Sequence, residues 1–154
     1  MKKTTAITTD LLKYLLIGAV CGTLLNTLIM KSPLPEIFPE YTERISPDLM
    51  KVNIIYGVFL YCLISPLLEE LIFRRGLYDL LYMKTGFIPA AFISSLVFAI
   101  YHMNMIQGIY AFIMAMMICF MYRADHKLYV PICIHVGANL AVWLSANIII
   151  RAIA

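Results

Sequence analysis

Charged side chains are scarce in this sequence. Asp, Glu, Lys and Arg together make up 14% of its 154 residues, whereas 62% are hydrophobic. Soluble domains average roughly 25% charged and 45–50% apolar residues, so a soluble chain of this length could not cover its apolar side chains. The composition excludes an ordinary soluble globular protein. It predicts a single membrane domain over residues 1–154, of the all-α polytopic class.

Two other features are missing. The formal charge is only +3, and no basic patch with interleaved aromatic residues is present, so we expect no nucleic-acid partner. The four cysteines are far apart, and no pair has the close spacing of a zinc site or a redox motif. We therefore expect them to be small buried side chains inside apolar runs. These cysteines are Cys21, Cys62, Cys119 and Cys133.

Five apolar runs are present, and each approaches or exceeds the roughly 20 residues that a helix needs to cross a bilayer. Helices are expected because lipid-exposed backbone must satisfy its own hydrogen bonds, and no run alternates as barrel strands do. The first uncharged run, residues 14–30, is too long for a signal-peptide core, so we expect a retained anchor. The predicted helices cover residues 11–30, 52–82, 87–101, 107–122 and 131–150.

The segment 31–50 contains four prolines and mixed charges, which predicts an extramembrane loop with a short interfacial turn near Ile37 and Phe38. The motif-bearing core is then residues 52–150. Basic residues near helix ends favour the cytoplasmic side, so their distribution predicts a cytoplasmic N-terminus. Those on the predicted cytoplasmic side are Lys2, Lys3, Lys13, Arg74, Arg75, Lys84, Arg123 and Lys127.

Adjacent carboxylates interrupt the second apolar run at Glu69 and Glu70. Ionisable residues within a membrane segment are costly and indicate a functional site. Glu70 and Arg74 are four residues apart, so they share a helix face as an ion pair, and Glu69 points about 100° away. The plain alternative is a pair of interfacial charges solvated by lipid headgroups.

Two further polar pairs have the same spacing of four residues. Phe98 and His102 lie on the third predicted helix, and His135 and Asn139 lie on the fifth. A lone histidine in an apolar helix is more often an interhelical hydrogen-bonding group than a catalyst. Two such pairs together with a double carboxylate favour a shared pocket. His126, in the charged loop before the fifth helix, is expected to be solvated.

Taken in order, these motifs resemble those of the CPBP family, which includes type II CAAX prenyl endopeptidases and Abi-type proteins linked to bacteriocin processing and self-immunity. The resemblance covers about residues 65–140. It implies a metal-independent intramembrane glutamate protease, without a cofactor, acting on a membrane-associated peptide or protein. It also implies that Glu69 and His102 deprotonate a water, that His135 and Asn139 stabilise the oxyanion, and that Glu70, Arg74 and Phe98 support the site. The motifs are Glu69-Glu70-Leu71-Ile72-Phe73-Arg74, Phe98-Ala99-Ile100-Tyr101-His102 and His135-Val136-Gly137-Ala138-Asn139.

Several alternatives stay open at the level of sequence. Glu69, His102 and His135 could instead ligate zinc, although no His-Glu-x-x-His motif is present. A serine nucleophile lacks an evident base on the same helix. A non-catalytic membrane protein of bacteriocin self-immunity or partner binding would keep the same residues for packing. A small transporter is disfavoured because the chain has no internal repeat.

We expect a multi-pass protein of the cell membrane, specifically a bacterial plasma membrane.

Overall fold

The computed structural model describes residues 2–124 and 126–153, with side chains except at 2–7, 45, 49–50 and 149–153. The side chains of Lys2 and Lys3, used above for orientation, lie outside the described residues. Every regular element within the described ranges is helical. The elements are α1 (Lys2–Met30), α2 (Leu34–Ile37), α3 (residues 41–50), α4 (Ile54–Thr85), α5 (Phe87–Tyr101), α6 (Met105–Tyr122) and α7 (Tyr129–Ile153).

Within the described residues, four helices are long and apolar enough to cross a membrane, which confirms the predicted all-α polytopic bundle. The third predicted span, α5, begins and ends as expected but has only 15 residues. At 1.5 Å per residue it is about 22 Å long, less than the roughly 30 Å of a hydrocarbon core. The four long segments are Thr8–Met30, Ile54–Thr85, Met105–Tyr122 and Tyr129–Ile148.

Helix α4 carries both glutamates near its midpoint and has an unusual hydrogen-bonding pattern. Its backbone bonds widen to the i+5 spacing of a π-helix over Val58–Ile64 and again over Leu71–Tyr78. The α-helical stretch between them, Ser65–Glu70, holds the carboxylates. Departures from α-helical bonding within a helix often occur at functional sites, because they change which backbone groups and faces are available.

A single glycine connects α4 to α5. Gly86 has a φ angle of +79°, a region that L-residues with a side chain rarely adopt. The chain therefore reverses within one residue, between Thr85 and Phe87, and α5 returns alongside α4. This hairpin brings the far end of α5, with Phe98 and His102, back towards the glutamates.

Helices α1 and α7 cross in backbone contact. Gly18 of α1 lies against the carbonyl of Ile134, and Gly137 of α7 lies against the carbonyl of Leu15. Small residues allow two membrane helices to approach this closely. Because α7 carries His135, the backbone of α1 sets the position of a candidate site residue.

The proline-rich segment is more ordered than the predicted loop, because it contains α2 and α3. Its charged side chains face outward, and Arg44 pairs with Glu40 at 2.6 Å while both remain exposed. Tyr41 and Ser46 face the opposite way and line an internal cavity. Burial of Tyr41 raises the pKa of its phenol above the usual value. The segment therefore covers part of the bundle interior.

His126 is not simply solvated, so that expectation was wrong. Its Nδ1 lies 3.0 Å from a carboxylate oxygen of Asp79 on α4, and its ring packs edge-on against Tyr122 at 5.0 Å. The Tyr122 hydroxyl donates to the other Asp79 oxygen at 3.0 Å. The side chain of His126 is 32% exposed. These contacts attach the α6–α7 connection to α4. The spacing of residues in the sequence does not predict them, because the partners are far apart in the chain.

The α1–α7 crossing predicts a strong effect of one added methyl group. A Cβ at Gly137 would overlap the Leu15 backbone, so Gly137→Ala should destabilise the protein by about 1–3 kcal/mol, in the range of overpacked cores. Thermal unfolding in detergent measures this change. Gly76→Ala on α4 is the matched control, since the nearest atom to its Cβ is 3.6 Å away. Equal unfolding temperatures for the two variants would contradict the described crossing.

Candidate active site

The predicted site residues surround one cavity of about 430 Å³ inside the helical bundle. Glu69 reaches it from α4, His102 from the end of α5, and His135 from α7. Phe98 and Asn139 also line it. Most of the remaining wall is apolar and aromatic. The main apolar wall residues are Ile29, Met30, Tyr61, Ile106, Tyr110, Ala111, Met114, Ile118, Val142 and Trp143.

Glu70 and Arg74 form a buried ion pair next to His135, one of the residues that line this cavity. The Arg74 Nε lies 3.2 Å from Glu70 Oε2, and both side chains are completely buried. The angle is unsuited to a hydrogen bond, so the contact is an ion pair rather than a well-aligned donor and acceptor. Because Glu70 has no exposed surface, it contacts neighbouring side chains and not a substrate. The Glu70–Arg74 pairing expected from their spacing is present.

His135 links the two glutamates. Its Nδ1 lies 2.7 Å from Glu70 Oε1, and its Nε2 lies 3.6 Å from Glu69 Oε2. A carboxylate only accepts, so the Nδ1 proton is donated to Glu70, which holds the ring with Nε2 towards Glu69. The second nitrogen is therefore the one available for chemistry at the cavity.

Glu69 is the glutamate that faces the cavity. Its side chain is 14% exposed, in contrast to the fully buried Glu70. The hydroxyl of Ser65 donates to Glu69 Oε1 at 2.6 Å, while the other oxygen faces His135. Both oxygens of this carboxylate are thus oriented, and the group is shielded from bulk solvent without being sealed.

His102 reaches the cavity separately from these contacts. Its Nδ1 donates to the carbonyl of Phe98 at 2.9 Å, because a carbonyl can only accept, and a neutral ring then has an unprotonated Nε2. The Phe98 ring packs edge-on against the rings of His102 at 4.8 Å and His135 at 5.8 Å. Among the described residues, His102 forms no ion pair with Glu69. The expected pairing of Glu69 is therefore made by His135 and Ser65 instead.

Asn139 is positioned by a gap in the backbone hydrogen bonding of α4. The amide of Ser65 bonds to Leu60, one residue further back than in an α-helix. The next residue, Pro66, has no amide proton, so the carbonyl of Tyr61 receives neither of these bonds. The Asn139 side chain supplies the missing donor at 3.0 Å and joins α7 to α4.

Some cavity residues were not predicted from the sequence. Ser65 could have been found, since it precedes Glu69 by the same four residues that relate Glu70 to Arg74. Asn26, a polar residue inside the apolar run of α1, carried a similar signal. Tyr41 and Gln107 carried none, because neither spacing nor polarity distinguishes them.

The described residues contain no group of three His, Cys, Asp or Glu side chains that could hold a metal ion. Glu69, His102 and His135, the ligands of the zinc alternative, share the cavity but are not arranged as a coordination set. Both ring nitrogens of His135 face glutamate oxygens.

Comparisons with known proteins give a family match and one named relative. The sequence model of the family described as type II CAAX prenyl endopeptidase Rce1-like matches residues 51–141. A protein of Bacillus subtilis (strain 168), named "Putative membrane peptidase YdiL", is 33% identical over 100 residues, or 65% of this chain. The chain spans 40% of the length of that relative. No solved structure matches the chain. The match over residues 51–141 includes every predicted site residue, and the chain belongs to the Rce1-like family of type II CAAX prenyl endopeptidases.

Proposed function

We propose that this protein is an intramembrane endopeptidase that hydrolyses a peptide bond of a membrane-associated peptide or protein. One observation carries the proposal: the oriented carboxylate of Glu69 opens onto a largely apolar cavity that it shares with His102, His135 and Asn139. A largely apolar cavity of this kind limits contact with bulk water and so strengthens electrostatic interactions among its polar groups. The named peptidase relative supports the same activity.

The proposed reaction begins with a water held between Glu69 and the substrate carbonyl. Glu69 accepts a proton from this water, and the resulting hydroxide forms a bond to the carbonyl carbon. The tetrahedral intermediate then collapses, the carbon–nitrogen bond breaks, and the leaving amine receives the proton. The products are a carboxyl group, which contains the hydroxyl of the water, and an amine, which contains its proton.

The other polar groups have distinct parts in this scheme. The free Nε2 of His102 accepts a hydrogen bond from the water and orients it. Asn139 donates one amide hydrogen to Tyr61, and its second amide hydrogen is available for the oxyanion. Donors of this type contribute about 3–4 kcal/mol to the stabilisation of the transition state. The Nε2 of His135 lies 3.6 Å from Glu69 Oε2, near enough to receive the proton from it. While it holds this proton it donates a hydrogen bond to the oxyanion, and it returns the proton through Glu69 to the leaving amine.

The membrane setting is part of the proposal. We infer a multi-pass protein of a bacterial plasma membrane with a cytoplasmic N-terminus, supported by the bacterial relative and the distribution of basic residues. The substrate then needs a cleavage site that reaches the bilayer or its interface.

The two glutamates should behave differently when each is changed to glutamine. Glu69→Gln removes the base, so cleavage should fall at least about a hundredfold with unfolding almost unchanged. Glu70→Gln leaves Arg74 as an unpaired buried charge, so it should destabilise the protein by about 3–5 kcal/mol. Membrane peptides incubated with purified protein and examined for new termini by mass spectrometry report cleavage, and thermal unfolding reports stability.

Persistent cleavage by the Glu69→Gln variant would contradict the proposed base. Suppose that neither the unmodified protein nor the Glu69→Gln variant cleaves any membrane peptide, and that a cellular immunity or binding phenotype survives Glu69→Gln. That result would favour the non-catalytic alternative.

The glutamate and zinc mechanisms predict opposite responses to chelation. In the proposed mechanism, dialysis against 1,10-phenanthroline leaves the cleavage rate unchanged, since Glu69 activates the water directly. The zinc alternative requires a loss of activity that added Zn²⁺ restores. Dialysis against the non-chelating isomer 1,7-phenanthroline controls for effects of the reagent. A zinc content near one per chain that follows activity would overturn the proposed mechanism.

A further inference from the structure

The hydroxyl of Ser65 makes a contact that helical serines usually do not make. A serine inside a helix commonly donates back to the carbonyl four residues earlier. For Ser65 that carbonyl belongs to Tyr61, and it already accepts from Asn139. The hydroxyl instead donates forward to Glu69, at 2.6 Å. The forward bond reaches a carboxylate, which is a stronger acceptor than a carbonyl that already accepts one bond.

This contact selects one orientation of the Glu69 carboxylate. With Oε1 held by Ser65, the second oxygen faces His135 at 3.6 Å. Without the hydroxyl, rotation about the side-chain torsions would let Glu69 turn away from the ring, since its terminal torsion is broad. A reacting group has to be held by its neighbours before it can act efficiently.

We propose that Ser65 is the positioning residue of Glu69, which it holds by a hydrogen bond in the orientation that faces both His135 and the cavity. Its significance for catalysis rests on the proposed function, but the contact itself does not. The charged or titratable groups around Glu69 are His135 from α7, Glu70 and Arg74 from α4, and His102 after α5. Ser65 is the neutral donor among them.

The test is the protonation of Glu69, measured by infrared spectroscopy in lipid nanodiscs. The carbonyl stretch of the protonated side chain is identified by subtracting the Glu69→Gln spectrum, and it is followed against pH. Ser65→Ala removes a donor to the Glu69 carboxylate, so its midpoint should differ from that of the unmodified protein. Ser65→Thr keeps the hydroxyl and should restore the original midpoint. Ser145→Ala, which removes a hydroxyl bonded to the Val142 carbonyl, is the matched control.

The pH dependence of the cleavage rate is the second measurement. In the cleavage assay, Ser65→Ala should move the acidic limb of the pH–rate profile by the same interval as the infrared midpoint and lower the cleavage rate severalfold. If Ser65→Ala does not fold, Ser65→Cys, a weaker donor of similar size, should shift the midpoint in the same direction.

An unchanged midpoint in a folded Ser65 variant, or a shift of equal size in Ser145→Ala, would overturn the positioning role. A shifted midpoint without cleavage of any peptide by the unmodified protein would support the contact and refute the proposed peptidase instead.

Discussion

The buried contact among Glu70, Arg74 and His135 is the interaction on which the rest of this structure depends. Two fully buried charges inside an apolar bundle are tolerated only while they remain paired. The contact of Glu70 with His135 joins α4 to α7 and orients the imidazole through Nδ1. The neighbouring Glu69 then meets the other ring nitrogen. One glutamate of the adjacent pair is structural, and the other faces the cavity.

Much of the fold could be predicted from composition and apolar runs. The predicted bounds of α5 agree with the structure, and α1 and α6 end where expected, because each run stops at polar or turn-forming residues. Spacing alone predicted that Glu70 pairs with Arg74, since residues four apart share a helix face. The motif residues were expected around a single cavity, and Glu69, His102, His135 and Asn139 all line it.

The details of the site could not be predicted in the same way. The contact of His135 with both glutamates depends on how closely α1 and α7 approach, and this distance is set by Gly18 and Gly137. Such a crossing has no signature in helical periodicity. The bond of Asn139 to Tyr61 depends on a π-helical stretch and on the missing amide of Pro66, which change hydrogen bonding without changing hydrophobicity.

The first fifty residues lie outside the region of the family match but form part of the cavity wall. Asn26 and Met30 come from α1, and Tyr41 and Ser46 come from α3. The polar groups, by contrast, come mainly from the matched region. The side chains of the proposed mechanism thus come from the matched region, while the first fifty residues supply further parts of the cavity wall.

The bond between Asn139 and Tyr61 has a consequence for sequence change. Its acceptor is a main-chain carbonyl, which every amino acid provides, so the side chain at position 61 is not needed for the contact. Position 66 is restricted instead, because only proline withholds the competing amide. Substitutions at Tyr61, which lines the cavity, could reshape the chamber while the helix-to-helix link stays intact.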